Sequence, residues 1–282
     1  MNILTVDVEE WFHLLDNNST KTYKEWSQYE SRIQANMERI FAILEQYNQK
    51  ATFFCLGWIA EKYPEIIRKI ANKGYEIGSH TRMHQLIYEQ SPLEFKKDIE
   101  HSIKTLEDIT GNKIKYFRAP GFSIKKENTW AFEIIAEQGI EVDSSIFPVQ
   151  RSHGGLPNYT NPLPSVIKYQ GITLKELPIN YARLMGMSFI FTGGGYFRLF
   201  PYSLIKKWTK ESDYIMSYVH PRDFDAKQPM IKDLSLFRKF KSYYGLRTSE
   251  DKFRQWLSDF KFIDIGTAVN QIDWENAPIV NL

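Results

Sequence analysis

Tyr75-Glu76-Ile77-Gly78-Ser79-His80-Thr81-Arg82-Met83-His84 runs from a short β-type segment straight into two histidines four residues apart. Shortly after, Ser91-Pro92-Leu93-Glu94 has the form of a helix start, with Ser91 as N-cap, Pro92 as first helical residue and Glu94 as capping-box partner. Gly111 closes that helix, and Tyr116-Phe117-Arg118 opens the next strand. A strand–loop–helix–strand unit is thus legible between Tyr75 and Arg118. Similar units flank it. Strands are predicted at Ile3–Val8, Thr52–Leu56, Tyr75–Ser79, Tyr116–Arg118, Ile140–Asp143, Thr173–Pro178, Tyr214–Val219 and Phe262–Ile265. Ile33, Met37, Ile40, Phe41, Leu44 and Tyr47 recur at helical spacing between the first two, and Thr248 and Asp251 set up a helix through Phe260. Repeated alternation of this kind predicts parallel strands with crossover helices, as a barrel or an open sheet. From about Gln150 to Gly195 the chain is rich in Gly, Pro and Asn (Gly154, Gly155, Pro157, Pro162, Pro164) and reads as a long irregular excursion across one face.

The chain has 282 residues, 43% hydrophobic and 25% charged, which is the composition of a globular protein and excludes a disordered or fibrous one. No linker is visible, so a single domain over 1–282 is expected, with core barrel motifs in about 1–150 and the remaining barrel plus an extension in 150–282. A net charge of +2 offers no electrostatic case for nucleic acid or for an anionic membrane. The one cysteine, Cys55, excludes an internal disulfide framework and, inside Ala51-Thr52-Phe53-Phe54-Cys55-Leu56, reads as a buried thiol. The most apolar later stretch, Met185–Phe191, is too short to span a bilayer, and no secretory signal precedes Ile3, so a cytoplasmic location is expected.

Most strand candidates end in chemically useful residues: Asp7-Val8-Glu9-Glu10, His80, Arg118-Ala119-Pro120-Gly121, Asp143-Ser144-Ser145 and His220-Pro221-Arg222-Asp223. In parallel α/β folds the C-terminal strand edge is where sites are built. His80 and His84 can reach one divalent ion together. Thr81 stands where a zinc protease carries its Glu, so that motif is absent. A third ligand must come from elsewhere, and a carboxylate of the first strand is the natural supplier. Strand alternation puts Asp7 and Glu9 on one face, where they can divide the work of binding an ion and acting on its water. Arg118 can pair with Asp7 and keep it ionised, and His220 is placed to serve as an acid near neutral pH.

Taken together, these residues resemble the polysaccharide deacetylase (NodB homology) superfamily, closest to the branch associated with exopolysaccharide and exosortase gene clusters. The resemblance rests on Thr5–Phe12, Gly78–His84, Phe117–Ser123, Asp143–Pro148, Gly193–Leu199 and Tyr218–Pro221, in register along the chain. It implies a distorted (β/α) barrel with a divalent metal, usually zinc, held by His80, His84 and a carboxylate; such donor sets also accept cobalt, nickel or manganese. Asp7 matches the catalytic base, Arg118 the residue that orients it, His220 the general acid, and the N–H near Gly121 an oxyanion donor. Much of the superfamily has adjacent aspartates where this chain has Asp7-Val8, so Glu9 is the expected ligand, with Glu10 as fallback. Asp143, Tyr196, Phe197 and Arg198 are expected to line the substrate groove; for Gly193–Arg198 the alternative is a glycine turn followed by a core aromatic strand.

The implied activity is metal-dependent hydrolysis of N-acetyl groups from an amino sugar in a polysaccharide or its precursor. The expected partners are that N-acetylated glycan and proteins of polysaccharide biosynthesis. Two rival readings are a glycan-binding protein that kept the barrel without catalysis, and a deformylase or amidase acting on a lipid-linked sugar.

Overall fold

The computed structural model describes residues 1–15, 17–148, 154–156, 159, 162–184 and 186–282. Gln150, Pro157 and Met185, which the sequence reading placed in the irregular and apolar stretches, lie outside the described residues. The chain forms two compact units, Met1–Ala51 with Tyr181–Asp264, and Thr52–Asn180 with Ile265–Leu282.

In the first unit the N-terminal strand segments Asn2–Ile3 and Thr5–Val8 are almost wholly buried. Asn2–Ile3 pairs in parallel with Ile215–Met216, and single bridges join Val6 to Val219 and Ile3 to Ile263. The helices Ile33–Gln46, Tyr202–Glu211 and Leu246–Asp259 each turn one apolar stripe inward. The last begins two residues before the predicted Thr248, because Gly245, at φ 75°, takes the N-cap position in a conformation that a β-carbon disfavours.

The second unit holds a sheet whose strands lie in the order Ile279–Asn281, Ser165–Tyr169, Ile172–Glu176, Val142–Asp143, Tyr116–Phe117, Glu76–Ser79, Thr52–Cys55. All neighbours pair in parallel except Ser165–Tyr169 with Ile172–Glu176. The mostly parallel α/β architecture is therefore as predicted. The helix Pro92–Thr110 has the predicted start and stop: Ser91 accepts from the Glu94 N–H, Glu94 accepts from the Ser91 N–H at 2.8 Å, and Gly111 ends it at φ 69°.

Part of the stretch expected to be irregular is regular. Ser165–Tyr169 and Ile172–Glu176 form a hairpin whose two turn residues, Gln170 and Gly171, both have positive φ (44° and 88°), as a tight turn matched to strand twist requires. Ala182–Leu184 and Met187–Phe189 form a second antiparallel pair. The strand predicted at Phe262–Ile265 reduces to the bridge at Ile263, since a helix begins at Ile265, its first N–H groups taken by Thr52 Oγ1 and the Glu76 carboxylate. Cys55 is buried, as expected. Among the described residues no helix is long and apolar enough to cross a membrane.

Candidate active site

The site residues of the first unit are brought together by the pairing of its first strand. The Asp7 N–H donates to the Val219 carbonyl at 2.9 Å and the Val219 N–H to the Thr5 carbonyl at 3.2 Å, which sets His220 beside the end of Thr5–Val8. His220 Nε2 lies 3.9 Å from Asp7 Oδ2 and 4.0 Å from Glu9 Oε1. One ligand-type atom from each of Asp7, Glu9 and His220 falls within 4.8 Å of the others. Both carboxylates are buried, and the imidazole keeps 20% of its surface.

Glu10 points elsewhere. Its carboxylate accepts the Arg32 and Ile33 N–H groups at 3.0 and 3.2 Å and the Ser31 hydroxyl. It thereby caps the helix Ile33–Gln46, whose own N-cap residue, Arg32, has no side chain able to accept. Burial raises the Glu10 pKa against these donors. The side chain is committed to the helix start, which leaves Glu9 as the carboxylate facing Asp7 and His220.

A chain of buried groups stands behind His220. Asp223 Oδ2 accepts from the His220 N–H and from Nδ1, each at 2.9 Å. Because a carboxylate only accepts, Nδ1 carries the proton there and Nε2 is the atom turned toward Asp7 and Glu9. Arg198 pairs with the other Asp223 oxygen. The same guanidinium donates to the carbonyls of Tyr244, Lys241 and Ser242 at 3.0, 2.9 and 3.2 Å. Burial works to raise Asp223, but Arg198 and His220 hold it well below the usual carboxylate range. Burial works to lower His220, but Asp223, Glu9 and Asp7 together push it up to about 9.

The triple glycine belongs to this arrangement. Gly193 bridges to Tyr218, and a β-carbon there would sit 1.8 Å from the Tyr218 carbonyl oxygen, so only glycine fits against this strand. The helix Gly194–Leu199 then carries Arg198 in behind His220. Phe197 is buried against Trp256, with ring centroids 5.1 Å apart. Arg198 and Phe197 are thus enclosed and spent on the protein itself, at odds with their expected place in a substrate groove. Tyr196 is only half-buried.

In the second unit His80 and His84 follow Glu76–Ser79, with ring centroids 5.3 Å apart. His80 Nδ1 lies 2.7 Å from the Arg118 carbonyl, which makes Nδ1 the protonated nitrogen and Nε2 the one that bears the lone pair. The intervening loop is not helical: Thr81 and His84 have φ of 67° and 52°. It is held by the Gly57 N–H on the Thr81 carbonyl at 2.9 Å and by the Ser102 hydroxyl on the same atom at 3.0 Å. Asp98 accepts from the Arg82 and Met83 N–H groups at 2.7 and 3.2 Å. Such support fixes the loop that carries both imidazoles, and two imidazole nitrogens are donors that a divalent transition-metal ion takes.

Arg118 is completely buried, donating to the Ser144 carbonyl at 3.2 Å and hydroxyl at 2.9 Å, its guanidinium 4.3 Å from the Phe54 ring centroid. Asp143 and Glu176 are register partners on adjacent strands and are both completely buried. Burial raises both carboxyls, Glu176 well above its ordinary value with the Asp143 charge as second cause. Asp143 accepts from the Ser145 hydroxyl and N–H at 2.5 and 3.2 Å. With no exposed surface it has no face to offer a substrate, contrary to the sequence expectation. Gly121, at φ 60°, precedes Phe122 at φ 53°, a pair of left-handed residues at the turn after Arg118.

The sequence reading missed Asp98, Glu176 and the structural role of Asp223. For Asp223 a signal existed, since His220-Pro221-Arg222-Asp223 has the spacing of a capping box.

Residues 20–141 match the family described as Polysaccharide deacetylase, and residues 144–270 match a Domain of unknown function (DUF3473). A peptidoglycan-N-acetylglucosamine deacetylase of Bacillus cereus is 38% identical over 96 residues, covering 34% of this chain and 35% of the relative. A chitooligosaccharide deacetylase of Azorhizobium caulinodans is 37% identical over 79 residues, 28% and 38% of the two chains. The alignments thus span little more than a third of these relatives' length. The crystal structure of a protein from Mycobacterium smegmatis, described as a candidate polysaccharide deacetylase, superposes with a TM-score of 0.67 at 17% identity, over 99% of this chain and 92% of that one. That likeness shows a shared α/β fold. Residues 20–141 are thus similar to polysaccharide deacetylases, and the match to the domain of unknown function follows them in the chain. Asp7 and Glu9 lie ahead of the first matched region, and His220 lies inside the second.

Proposed function

We propose that this protein is a divalent-metal carbohydrate N-deacetylase, removing N-acetyl groups from an amino sugar in a polysaccharide or its precursor. The observation that carries the reading is the convergence of Asp7, Glu9 and His220 on one point in a chain whose residues 20–141 are similar to polysaccharide deacetylases. The names of the relatives, deacetylases of peptidoglycan and of chitooligosaccharide, support the substrate class. The distorted barrel implied by the resemblance belongs to the same proposal.

In this reading Glu9, His80 and His84 hold the ion, and zinc suits such a set of two imidazoles and one carboxylate. The ion supplies Lewis acidity and a water whose pKa is lowered to ~7. The chain's own residues do the rest. Asp7 accepts the proton of the attacking water, with Arg118 assigned to orienting it. The N–H near Gly121 donates to the oxygen on which negative charge develops. His220 then gives its Nε2 proton to the departing amine, while Asp223 holds Nδ1–H and stabilises the charged ring. Retention of an acid and a base is what a glycan-binding protein without catalysis does not need.

The test is metal content of the protein and of His80→Ala, alongside acetate release from N-acetylglucosamine oligomers. About one equivalent of transition metal, lost in the variant, with acetate release abolished by chelation and restored by zinc, is the expected outcome. Undiminished acetate release from metal-free protein overturns the scheme.

A further inference from the structure

We propose that the helix Leu236–Tyr243 is a docking surface for an anionic lipid bilayer. An amphipathic helix in a globular protein ordinarily turns its apolar stripe to the core. This one does the reverse, and none of its residues is buried. Leu236 is 85% exposed, Phe237 66% and Phe240 50%, and Tyr244, just past the helix, is exposed as well. Phe240 and Tyr244 pack ring to ring at 4.8 Å, and the i, i+3 and i, i+4 spacing of Leu236, Phe237 and Phe240 sets these side chains next to one another on the helix. The helix is held from behind by polar contacts, chiefly the Arg198 guanidinium on the Lys241 and Ser242 carbonyls. Exposed apolar patches of this kind mark interaction surfaces.

Charge selects the occupant. Between Lys227 and Tyr244 stand five cations, Lys227, Lys232, Arg238, Lys239 and Lys241, against the single carboxylate of Asp233. That is a net +4 in one short segment of a chain whose total is +2. Lys241 sits with its ammonium 4.5 Å from the Phe237 ring centroid, an aliphatic stem over apolar surface with its charge at the rim. Aromatic and leucine side chains flanked by cations are the composition that enters the headgroup boundary of an anionic leaflet. A second copy of the chain would bring one +4 segment against another in a self-complementary contact. The cores of protein interfaces are also depleted of lysine. The inference is independent of the deacetylase reading, although Arg198 links this helix directly to Asp223 behind His220.

The experiment is flotation of the full chain with vesicles of phosphatidylcholine alone and of phosphatidylcholine mixed with phosphatidylglycerol, at low and high salt. The variants are Phe237→Glu/Phe240→Glu and Lys239→Gln/Lys241→Gln, with thermal unfolding to establish that both fold as the parent does. The parent is expected to bind the anionic vesicles preferentially, by a factor of about five for each cation engaged, and to be released by salt. The phenylalanine variant should bind at least about tenfold more weakly, and should still release acetate from soluble oligomers as the parent does. No binding to either vesicle, equal binding to both, or full binding by the phenylalanine variant overturns the proposal. So does a dimer in analytical ultracentrifugation that the phenylalanine variant abolishes, which assigns the face to a second copy.

Discussion

Arg198→Met is the substitution that distinguishes most sharply between a residue that serves the substrate and one that serves the fold. Methionine keeps the apolar stem but removes five donors. The guanidinium it replaces is 4% exposed and is paired with an Asp223 carboxylate that is 5% exposed. Without it Asp223 stays buried with His220 as its remaining opposite charge, and the Tyr244 and Lys241 carbonyls lose the donors that reach them. Breaking a buried pair from one side costs ~3–5 kcal/mol, and each orphaned carbonyl adds up to ~1 kcal/mol where water cannot replace the donor. A loss of about 4 kcal/mol is expected, a large share of the ~5–15 kcal/mol that stabilises a typical protein. Urea denaturation followed by far-UV circular dichroism measures it as a shift in midpoint at constant slope. Adding Asp223→Leu to Arg198→Met should recover part of the loss, because the second change removes the stranded charge. A loss under ~1 kcal/mol with a raised KM refutes the reasoning and returns Arg198 to the substrate groove.

Asp98→Asn places an amide against the backbone N–H groups of the His80–His84 loop and should weaken metal binding by about 10–100-fold in chelator competition; unchanged affinity means that the loop holds itself. Asp7→Asn and His220→Ala should each lower kcat by about 10²–10⁴-fold while metal content stays at the parent level. The His220 pKa is raised from 6.5 to about 9, so its contribution to the stability of the metal-free protein is full below 6.5 and is lost as pH rises through about 9. At ~1.4 kcal/mol per tenfold in proton affinity that is ~3 kcal/mol, and thermal unfolding of His220→Gln should lack this decline; an identical decline in the variant removes His220 as its source.

What could be read in advance divides by the range of the interaction. The helix Pro92–Thr110 was legible at both ends because a capping box and a left-handed glycine are satisfied within a few residues. The hairpin through Gln170-Gly171 is equally local, yet its first strand is masked in the sequence by the surrounding Gly, Pro and Asn content. Sequence ranked Glu9 ahead of Glu10 as the ligand but did not show what occupies Glu10. Their difference comes from the N–H groups of Arg32 and Ile33, which reach Glu10 only once the helix has packed beside the strand.

The sequence by itself determined the mostly parallel α/β class and the placement of Asp7, Glu9, His80, His84 and His220 at or just beyond the ends of strand candidates. Alternating periodicity and strand-end polarity are properties of neighbouring residues, so they survive in one dimension. Only the tertiary structure decided what Gly193–Arg198, Asp143 and the helix Leu236–Tyr243 do. A conformation-free string cannot show that a glycine run lies on the Tyr218 carbonyl, that Arg198 ends behind His220, or that Phe237 faces outward. Burial and pairing between distant residues are fixed by packing, and packing exists only in the folded chain.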